Sequence, residues 1–489
     1  MKPSTHRHPL PDPGWPSKTE AEASLLFTPL ALGKARPAMT RAWIPAMVPW
    51  RATEDGFVTE AVRRWYRRFA EGRPGVLVVE ATGVRDVKSG PLLRIGHDRF
   101  IPGLARLAET VREASGGQTR LLIQILDFLA MRRRPNPETY FHRFLVPSPT
   151  LRERLVAWTH DTSFRSVSDD VMRSHLSTLS DAGLRAVLSA REYDDLTRGY
   201  RERVTDTHLP HISELPHVLP TLFAEASERA ELAGFDGVEL HYAHAYTMAS
   251  FLSRTNTRTD GYGTTAQGRL RLPLEVLAKV RSRVSADFAV GIRFLADEII
   301  EGGSRIEDAI DYARAFARGG ADVLSLSVGG KFDDAAIPKI GEAVYPYTGP
   351  SGEACMPTVF NDVAPFSRHV PLARAIRSAL QRDGLRTPIV AAGGIGTFKE
   401  AEAVLQSNSA DFVGAARQSL ADPDWWQKMR DGDGASIRRC VYTNYCEALD
   451  RQHTEVTCQL WDRDKSRNPS DTRCGDNKRF DIAPARFSV

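Results

Sequence analysis

Short apolar runs alternate along the chain with longer segments in which apolar residues recur every three or four positions. The first pattern predicts buried strands and the second predicts amphipathic helices. Because the runs are apolar almost throughout, we expect parallel strands that are covered on both faces. The predicted strands are Trp43–Met47, Val76–Glu80, Leu121–Leu126, Gly237–Leu240, Phe288–Phe294, Val323–Val328, Pro388–Ala392 and Phe412–Ala415. The helices between them include Thr59–Glu71, Leu219–Ala233, Gln267–Val284 and Ile306–Arg318.

Eight strand-then-helix units in one chain predict an α/β fold, the (β/α)8 or TIM barrel. We expect the barrel to span residues 25–436, after an N-terminal arm at 1–24. A polar, Arg-rich insertion at 128–215 interrupts the barrel after its third strand, and we expect it to lie over the site. Residues 437–489 form a C-terminal tail that holds four of the five cysteines.

The composition narrows the class of protein. An apolar share of 42% and a charged share of 26% are typical of a soluble globular protein. The net charge of +4 gives no argument for nucleic acid, and no apolar run is long enough to predict a membrane span. The N-terminus is polar and Pro-rich, unlike a signal peptide. An odd number of cysteines argues against a disulfide framework, so we expect a cytoplasmic protein.

Three side chains that handle protons follow the fourth predicted strand. His241, His244 and Tyr246 fall within six residues. Active sites of (β/α)8 barrels lie where the strands end. A surface loop with no chemical role would explain any one of these residues, but the three together favour an active site.

Two further strand ends carry groups that suit an anion. Gly393 and Gly394 follow the seventh strand, and Thr397 with Glu400 predicts a capping box at the next helix. Free backbone N–H groups there make a phosphate site, to which Arg417 adds a charge-assisted bond. Arg293, at the end of the fifth strand, needs an anionic partner if it is buried. That partner is either a ligand or an acid on a neighbouring strand.

These motifs resemble the old yellow enzyme family of flavin-dependent ene-reductases. The stretch from His241 resembles the pattern His-x-x-(Asn/His)-x-Tyr, followed by Arg-Thr-Asp-x-Tyr-Gly. The similarity covers about residues 25–430 and includes LFTPLALG at Leu26–Gly33, VVEATGV at Val78–Val84, AAGGIGT at Ala391–Thr397 and GAARQSLADPDW at Gly414–Trp425.

The resemblance implies FMN as the bound cofactor, NADH or NADPH as reductant and a small enone or other activated alkene as substrate. It implies that His241 and His244 bind the substrate carbonyl oxygen and that Tyr246 is the general acid. It also implies a set of FMN-binding residues, some through their backbone: Ala46, Met47, Ala81, Gln124, Arg293, Gly393, Gly394 and Arg417. The chain is compatible with a homo-oligomer.

Two positions depart from the family pattern. Asp127 stands where the third-strand motif usually has His, which leaves that side of the pocket open to question. Val48 stands where family members often have a Thr or Cys that tunes the flavin.

The tail resembles the cluster segment of the longer, 2,4-dienoyl-CoA reductase-like branch, whose pattern is Cys-x2-Cys-x3-Cys-x11-Cys. Cys440, Cys446 and Cys458 match three ligands, but Thr443 occupies the place of another. Iron–sulfur clusters need four thiolates at close spacing, so we do not expect a [4Fe–4S] cluster. The alternatives are an iron–sulfur flavoprotein of the dienoyl-CoA reductase/amine dehydrogenase-like branch, a zinc site, Cys474 as a substitute ligand, and a non-catalytic flavin-binding scaffold.

Overall fold

The computed structural model describes residues 8–87, 90–359 and 362–486. Its ten strands are β1 (Leu30–Leu32), β2 (Ala35–Ala38), β3 (Ala42–Ile44), β4 (Val76–Gly83), β5 (Arg120–Leu126), β6 (Gly237–Tyr242), β7 (Ala289–Asp297), β8 (Val323–Val328), β9 (Ile389–Ala392) and β10 (Phe412–Gly414). The described α-helices are α1 (Lys18–Ala23), α2 (Glu60–Glu71), α3 (Ile101–Ser115), α4 (Pro137–Thr139), α5 (Pro149–Thr159), α6 (Asp169–Leu176), α7 (Asp181–Val187), α8 (Ala190–Arg198), α9 (Pro210–Ser213), α10 (Leu215–Leu232), α11 (Thr247–Leu252), α12 (Ala266–Arg281), α13 (Ile306–Arg318), α14 (Pro350–Cys355), α15 (Val370–Arg382), α16 (Phe398–Gln406), α17 (Arg417–Ala421), α18 (Trp425–Arg430) and α19 (Tyr445–Arg451).

Strands β3 to β10 form a closed parallel barrel, with β10 pairing with both β9 and β3. The predicted (β/α)8 fold is confirmed, and each predicted strand overlaps one barrel strand. One boundary differs in a way that matters for the site. β6 continues to Tyr242, so His241 lies inside the strand instead of after it. Val238, Leu240 and Tyr242 pack outward against the helices, which turns Glu239 and His241 toward the barrel axis.

The barrel interior is apolar at one end and polar at the other. Trp43, Val76, Val78 and Phe412 form an internal cluster together with the hairpin β1–β2. Farther along the strands, Gln124, Glu239, His241 and Ser325 are buried polar residues. Polar side chains therefore converge at the carboxyl end of the barrel, where the strands deliver them.

The insertion after β5 has a small core of its own and is tied to the loop that follows β8. Tyr140, Phe141, Leu155 and Met172 are among the buried residues of that core. Arg134 Nη1 donates to Pro338 O at 2.9 Å, and the backbone N–H of Arg134 donates to Glu342 O at 2.9 Å. The insertion and the β8 loop thus cover the polar end of the barrel together.

A C-terminal clasp, residues 455–484, returns to the first helix of the barrel. Arg51 Nη2 donates to Val456 O at 3.1 Å and to Asp481 O at 2.6 Å. Arg68 Nη2 donates to Pro484 O at 2.7 Å, and its guanidinium also pairs with Asp424 after β10. These bonds span the β3–β10 junction, which is joined by the short register Val413↔Ala42 and Gly414↔Trp43. Of the helices in the described ranges, none combines the length and apolar character that crossing a bilayer requires.

Candidate active site at the carboxyl end of the barrel

The three proton-handling residues of the fourth barrel strand lie together. His244 Nδ1 is 3.1 Å from His241 Nε2, and the ring centroids of His241 and Tyr246 are 5.5 Å apart. His244 adopts φ +62°, a left-handed conformation that few side chains other than Asn and Asp tolerate readily. That turn folds the chain back, so that all three side chains share the mouth of the barrel.

Burial sets the protonation of this cluster. Desolvation, together with the nearby charge of Arg293, lowers the pKa of His241 to about 3. The pKa of His244 is also lowered well below its usual value, first by burial and then by His241. Burial raises the pKa of Tyr246. Both imidazoles are therefore neutral at physiological pH, and the Tyr246 phenol keeps its proton. His241 Nδ1 is buried and has no hydrogen-bond partner among the described residues.

Arg293 lies beside the histidines on β7 and is held by hydroxyls. It is in register with His241 across the strand pair. Its guanidinium donates to Ser325 Oγ at 2.9 Å and to Ser327 Oγ at 3.3 Å. Ser327 Oγ is in turn 3.0 Å from His244 Nε2. No ion pair of Arg293 within 4.0 Å occurs among the described residues, but its charge acts on the buried carboxyl of Glu239, on the neighbouring strand β6, and opposes the rise in the pKa of that group.

Gln124 has an acidic partner that sequence reasoning missed. Its Nε2 donates to Glu239 Oε1 at 2.6 Å. Glu239 Oε2 is buried with no partner among the described residues, and burial raises the pKa of this carboxyl. The available signal was a single acid inside the otherwise apolar run Gly237–Leu240.

The predicted backbone contacts come from the first two barrel strands. Ala46 and Met47 follow β3 and are partly buried, Ala46 against the interior cluster. Ala81 lies within β4 and is buried. Side chains that are small, as in Ala46 and Ala81, or flexible, as in Met47, suit a close approach of a ligand to the backbone.

The ends of β9 and β10 have the geometry of an anion site. Gly394 has φ +76°, and a Cβ there would lie 1.6 Å from Pro365 O. A Cβ on Gly393 would lie 2.4 Å from His369 Nδ1. Only glycine fits at either position. Thr397 caps α16 as predicted, but Glu400 Oε2 accepts from Gly396 N at 3.1 Å and not from Thr397 N.

Two residues at this end were missed from the sequence. Arg368 Nη1 and His369 Nε2 are both buried with no hydrogen-bond partner in the described ranges. They stand at the start of α15, whose first N–H groups favour an anion. Burial lowers the pKa of His369 to about 4, so its ring is neutral and its one N–H bonds to the Ala392 backbone. The unpaired guanidinium donor of Arg368, near Gly393 and Gly394, fits a phosphate group, so the residues present suit the FMN phosphate. Nothing in the local sequence pattern marks this pair, because both precede the helix in an irregular loop.

Arg417 is held by the tail. Its Nη1 donates to Asn444 Oδ1 at 2.6 Å, and its guanidinium lies 4.9 Å from the centroid of the Tyr442 ring. Tyr442 Oη donates to Gly394 O at 3.4 Å. The tail therefore closes over the predicted phosphate end, and Arg417 reaches that end alongside Tyr442.

Asp127, which departs from the family pattern at the third strand, is paired with Arg85. Asp127 is buried, and its Oδ2 accepts from Arg85 Nη2 at 3.1 Å. Thr247 N donates to Asp127 O at 3.2 Å, which ties β5 to the turn that carries Tyr246. Asp127 therefore acts in an ion pair at the edge of the mouth.

The tail cysteines are free thiols in the described structure. Burial raises the pKa of Cys440 and Cys458, and it raises the pKa of Cys446 to about 12. Across residues 8–87, 90–359 and 362–486, no three Cys, His or acidic side chains are grouped so as to hold a metal ion.

The parallel barrel brings a histidine pair, a tyrosine and a candidate anion site together at its carboxyl end. Residues 215–343 match the model of the NADH:flavin oxidoreductase / NADH oxidase family. The chain is 28% identical over 411 residues to the NADH oxidase of Thermoanaerobacter brockii, covering 83% of this chain and 50% of the relative.

Two solved structures are similar in fold. A 2-naphthoyl-CoA reductase superposes with a TM-score of 0.62 at 19% identity, over 89% of this chain and 56% of that one. An old yellow enzyme homologue from Zymomonas mobilis gives a TM-score of 0.51 at 20% identity, over 82% of this chain and 91% of that one. This chain is therefore similar to the NADH:flavin oxidoreductase / NADH oxidase family over residues 215–343, and the resemblance inferred from its sequence is confirmed. It spans about half the length of the longer curated relatives that it matches.

Proposed function

We propose that this protein is an FMN-dependent oxidoreductase that uses NADH or NADPH to reduce an activated carbon–carbon double bond. The observation that carries the proposal is the neutral pair His241 and His244, next to a protonated, partly buried Tyr246. Retention of all three groups favours an enzyme over a non-catalytic flavin-binding scaffold. Hydride from the dinucleotide and one proton add across the alkene, which leaves NAD+ or NADP+.

Different residues would hold the ring system and the phosphate of the cofactor. FMN, when bound, would supply the hydride chemistry. Arg293 offers a cation held by the hydroxyls of Ser325 and Ser327, suited to the electron-rich edge of the ring system. Arg368 and Gly394 would hold the phosphate, with Arg417 at the same end of the barrel.

The substrate's side follows from protonation states. A neutral imidazole carries one N–H, and the contact between His241 and His244 uses one of the two. When a substrate carbonyl oxygen takes the place of that contact, both imidazoles can donate to it and stabilise the negative charge that develops there. Because the Tyr246 phenol stays protonated, it can deliver a proton to the α-carbon as general acid. Arg293 and Ser327 orient the histidines.

The half-reactions of the holoenzyme test these roles separately. In Tyr246→Phe, we expect flavin reduction by the dinucleotide to stay near the wild-type rate while reoxidation by an enone slows. In the double variant His241→Ala, His244→Ala, reoxidation should fall by on the order of 100-fold or more, since each lost oxyanion donor commonly costs that much. Stopped-flow absorbance of the flavin measures both steps.

Two outcomes would count against the proposal in different ways. Normal reoxidation in Tyr246→Phe would mean that another group is the acid. Normal reoxidation in the double histidine variant would remove the site assignment itself. Flavin content, measured on each variant before mixing, controls for loss of cofactor.

A further inference from the structure

A cavity of about 290 Å³ lies directly beside Tyr246, under the end of the insertion. Tyr246 and Thr247 form its barrel side. Its roof comes from the segment 201–205, where the insertion returns to the barrel, and its third wall from the β8 loop at 331–333. We name this space the roof cavity. A substrate that reaches Tyr246 must pass through it or occupy it.

Most charged groups of the roof cavity are already paired. Lys331 Nζ is 3.4 Å from Glu298 Oε1, and Arg203 Nη2 is 2.7 Å from Asp194 Oδ2. Glu202 accepts from the backbone N–H of Ala130 at 3.0 Å, and its other carboxylate oxygen is 2.8 Å from His211 Nε2. These three groups therefore have little capacity left for a charged ligand.

Arg201 is the exception. No side-chain hydrogen bond of Arg201 occurs within the described ranges, and the acid nearest to it is Asp333, with Oδ1 at 4.0 Å from Nη2. Asp333 is half exposed, whereas the Arg201 side chain is only 16% exposed. The guanidinium lies 4.9 Å from the centroid of the Phe332 ring, which fixes its position. Burial lowers the pKa of Arg201, because the nearby acids do not offset the desolvation of its charge.

We propose that Arg201 binds a carboxylate of the substrate. The substrate class is then a small alkene activated by a carbonyl group and carrying a carboxylate. The inference rests on the proposed function, since it assumes that the alkene lies at Tyr246 in the same cavity. A guanidinium presents parallel N–H donors that match the two oxygens of a carboxylate. One incompletely paired cation suits a single negative charge.

Equilibrium binding tests the carboxylate site without turnover. Levulinate and methyl levulinate share a ketone and lack an alkene, and they differ in one negative charge. Calorimetry on the FMN-loaded protein should give tighter binding of levulinate. Arg201→Gln should weaken levulinate binding by about 10- to 100-fold, the range for a hydrogen bond to a charged group, and should leave the ester unchanged. Arg201→Lys should restore part of the affinity.

Turnover of the matching alkenes completes the test. β-Acetylacrylate is reduced to levulinate, so kcat/KM can be compared for the acid and its methyl ester. The ratio of acid to ester should fall about 10- to 100-fold in Arg201→Gln. The same ratio should keep its wild-type value in Arg203→Gln. This control lies two residues away, and its wild-type side chain is already paired with Asp194.

Each remaining result is decisive. An unchanged ratio in Arg201→Gln overturns the proposal. An equal loss for acid and ester also overturns it, because Arg201 would then only hold the roof in place. Preferential levulinate binding without alkene reduction would retain the carboxylate site and reject the proposed function. Reduction of both alkenes with no preference for the acid would retain the proposed function and reject the carboxylate site.

Discussion

Acidification should destabilise the folded protein through the buried histidine of β6. His241 is the side chain to perturb, because it is 2% exposed and its pKa is lowered to about 3 in the folded state. The unfolded chain binds a proton at its imidazole near the ordinary pKa of about 6.5. The folded state cannot take up that proton at pH 5. The contribution of the neutral His241 to the free energy of unfolding is therefore fully present above the unfolded-state pKa. It is lost as the pH falls below that pKa.

The magnitude follows from the distance between the assay pH and the unfolded pKa. At pH 5 the imidazole is about 1.5 pH units below that pKa, and each unit is worth about 1.4 kcal/mol, so the expected loss is about 2 kcal/mol. The result depends little on the folded pKa, provided that it lies below 5. His244 acts in the same direction, since its pKa is lowered as well.

Denaturant unfolding at pH 7 and pH 5 measures the effect on the wild type and on His241→Asn. The free energy of unfolding should fall by about 2 kcal/mol less in the variant than in the wild type. His142→Asn removes an exposed histidine of the insertion and serves as the matched control. Equal losses in wild type and His241→Asn would refute the argument that this imidazole is held neutral by burial.

Two other substitutions probe the phosphate end and the tail. Gly394→Ala should lower stability and FMN retention on dialysis, because its Cβ would lie 1.6 Å from Pro365 O. Gly341→Ala has a similar φ of +84° with open space around it, so it should cost only about 1 kcal/mol in denaturant unfolding; equal effects of the two would contradict the steric argument. Protein purified without oxygen should contain well under one iron atom per chain by metal analysis, because clusters need four thiolates and Thr443 occupies the place of one of them. Cys446→Ser should leave flavin content and enone reduction unchanged, whereas four iron atoms with matching sulfide would reverse that conclusion.

The barrel was predictable because burial on both faces leaves a local signal. The run Val323–Val328 predicts β8 at its observed bounds, since every residue in it is buried. The group His241, His244 and Tyr246 was predictable for a related reason, because polar residues that end an apolar strand stand out. Arg201, Arg368 and His369 were not, since their roles come from neighbours far along the chain. The place of Arg417 at a strand end predicts a contact with phosphate. Its contact with Asn444 was not predictable, because neither residue alone indicates it.

The C-terminal clasp has a consequence for how the protein folds. Arg51 and Asp481 are 430 residues apart in sequence, yet they bond at the junction where the first and last barrel strands meet. Closing so long a loop costs entropy before its contacts form, so topology of this kind slows folding. Once made, those bonds tie the barrel junction to the tail, and one cannot open without the other. We therefore regard barrel closure as the late step of assembly and the clasp as what sets the rate at which the closed barrel reopens.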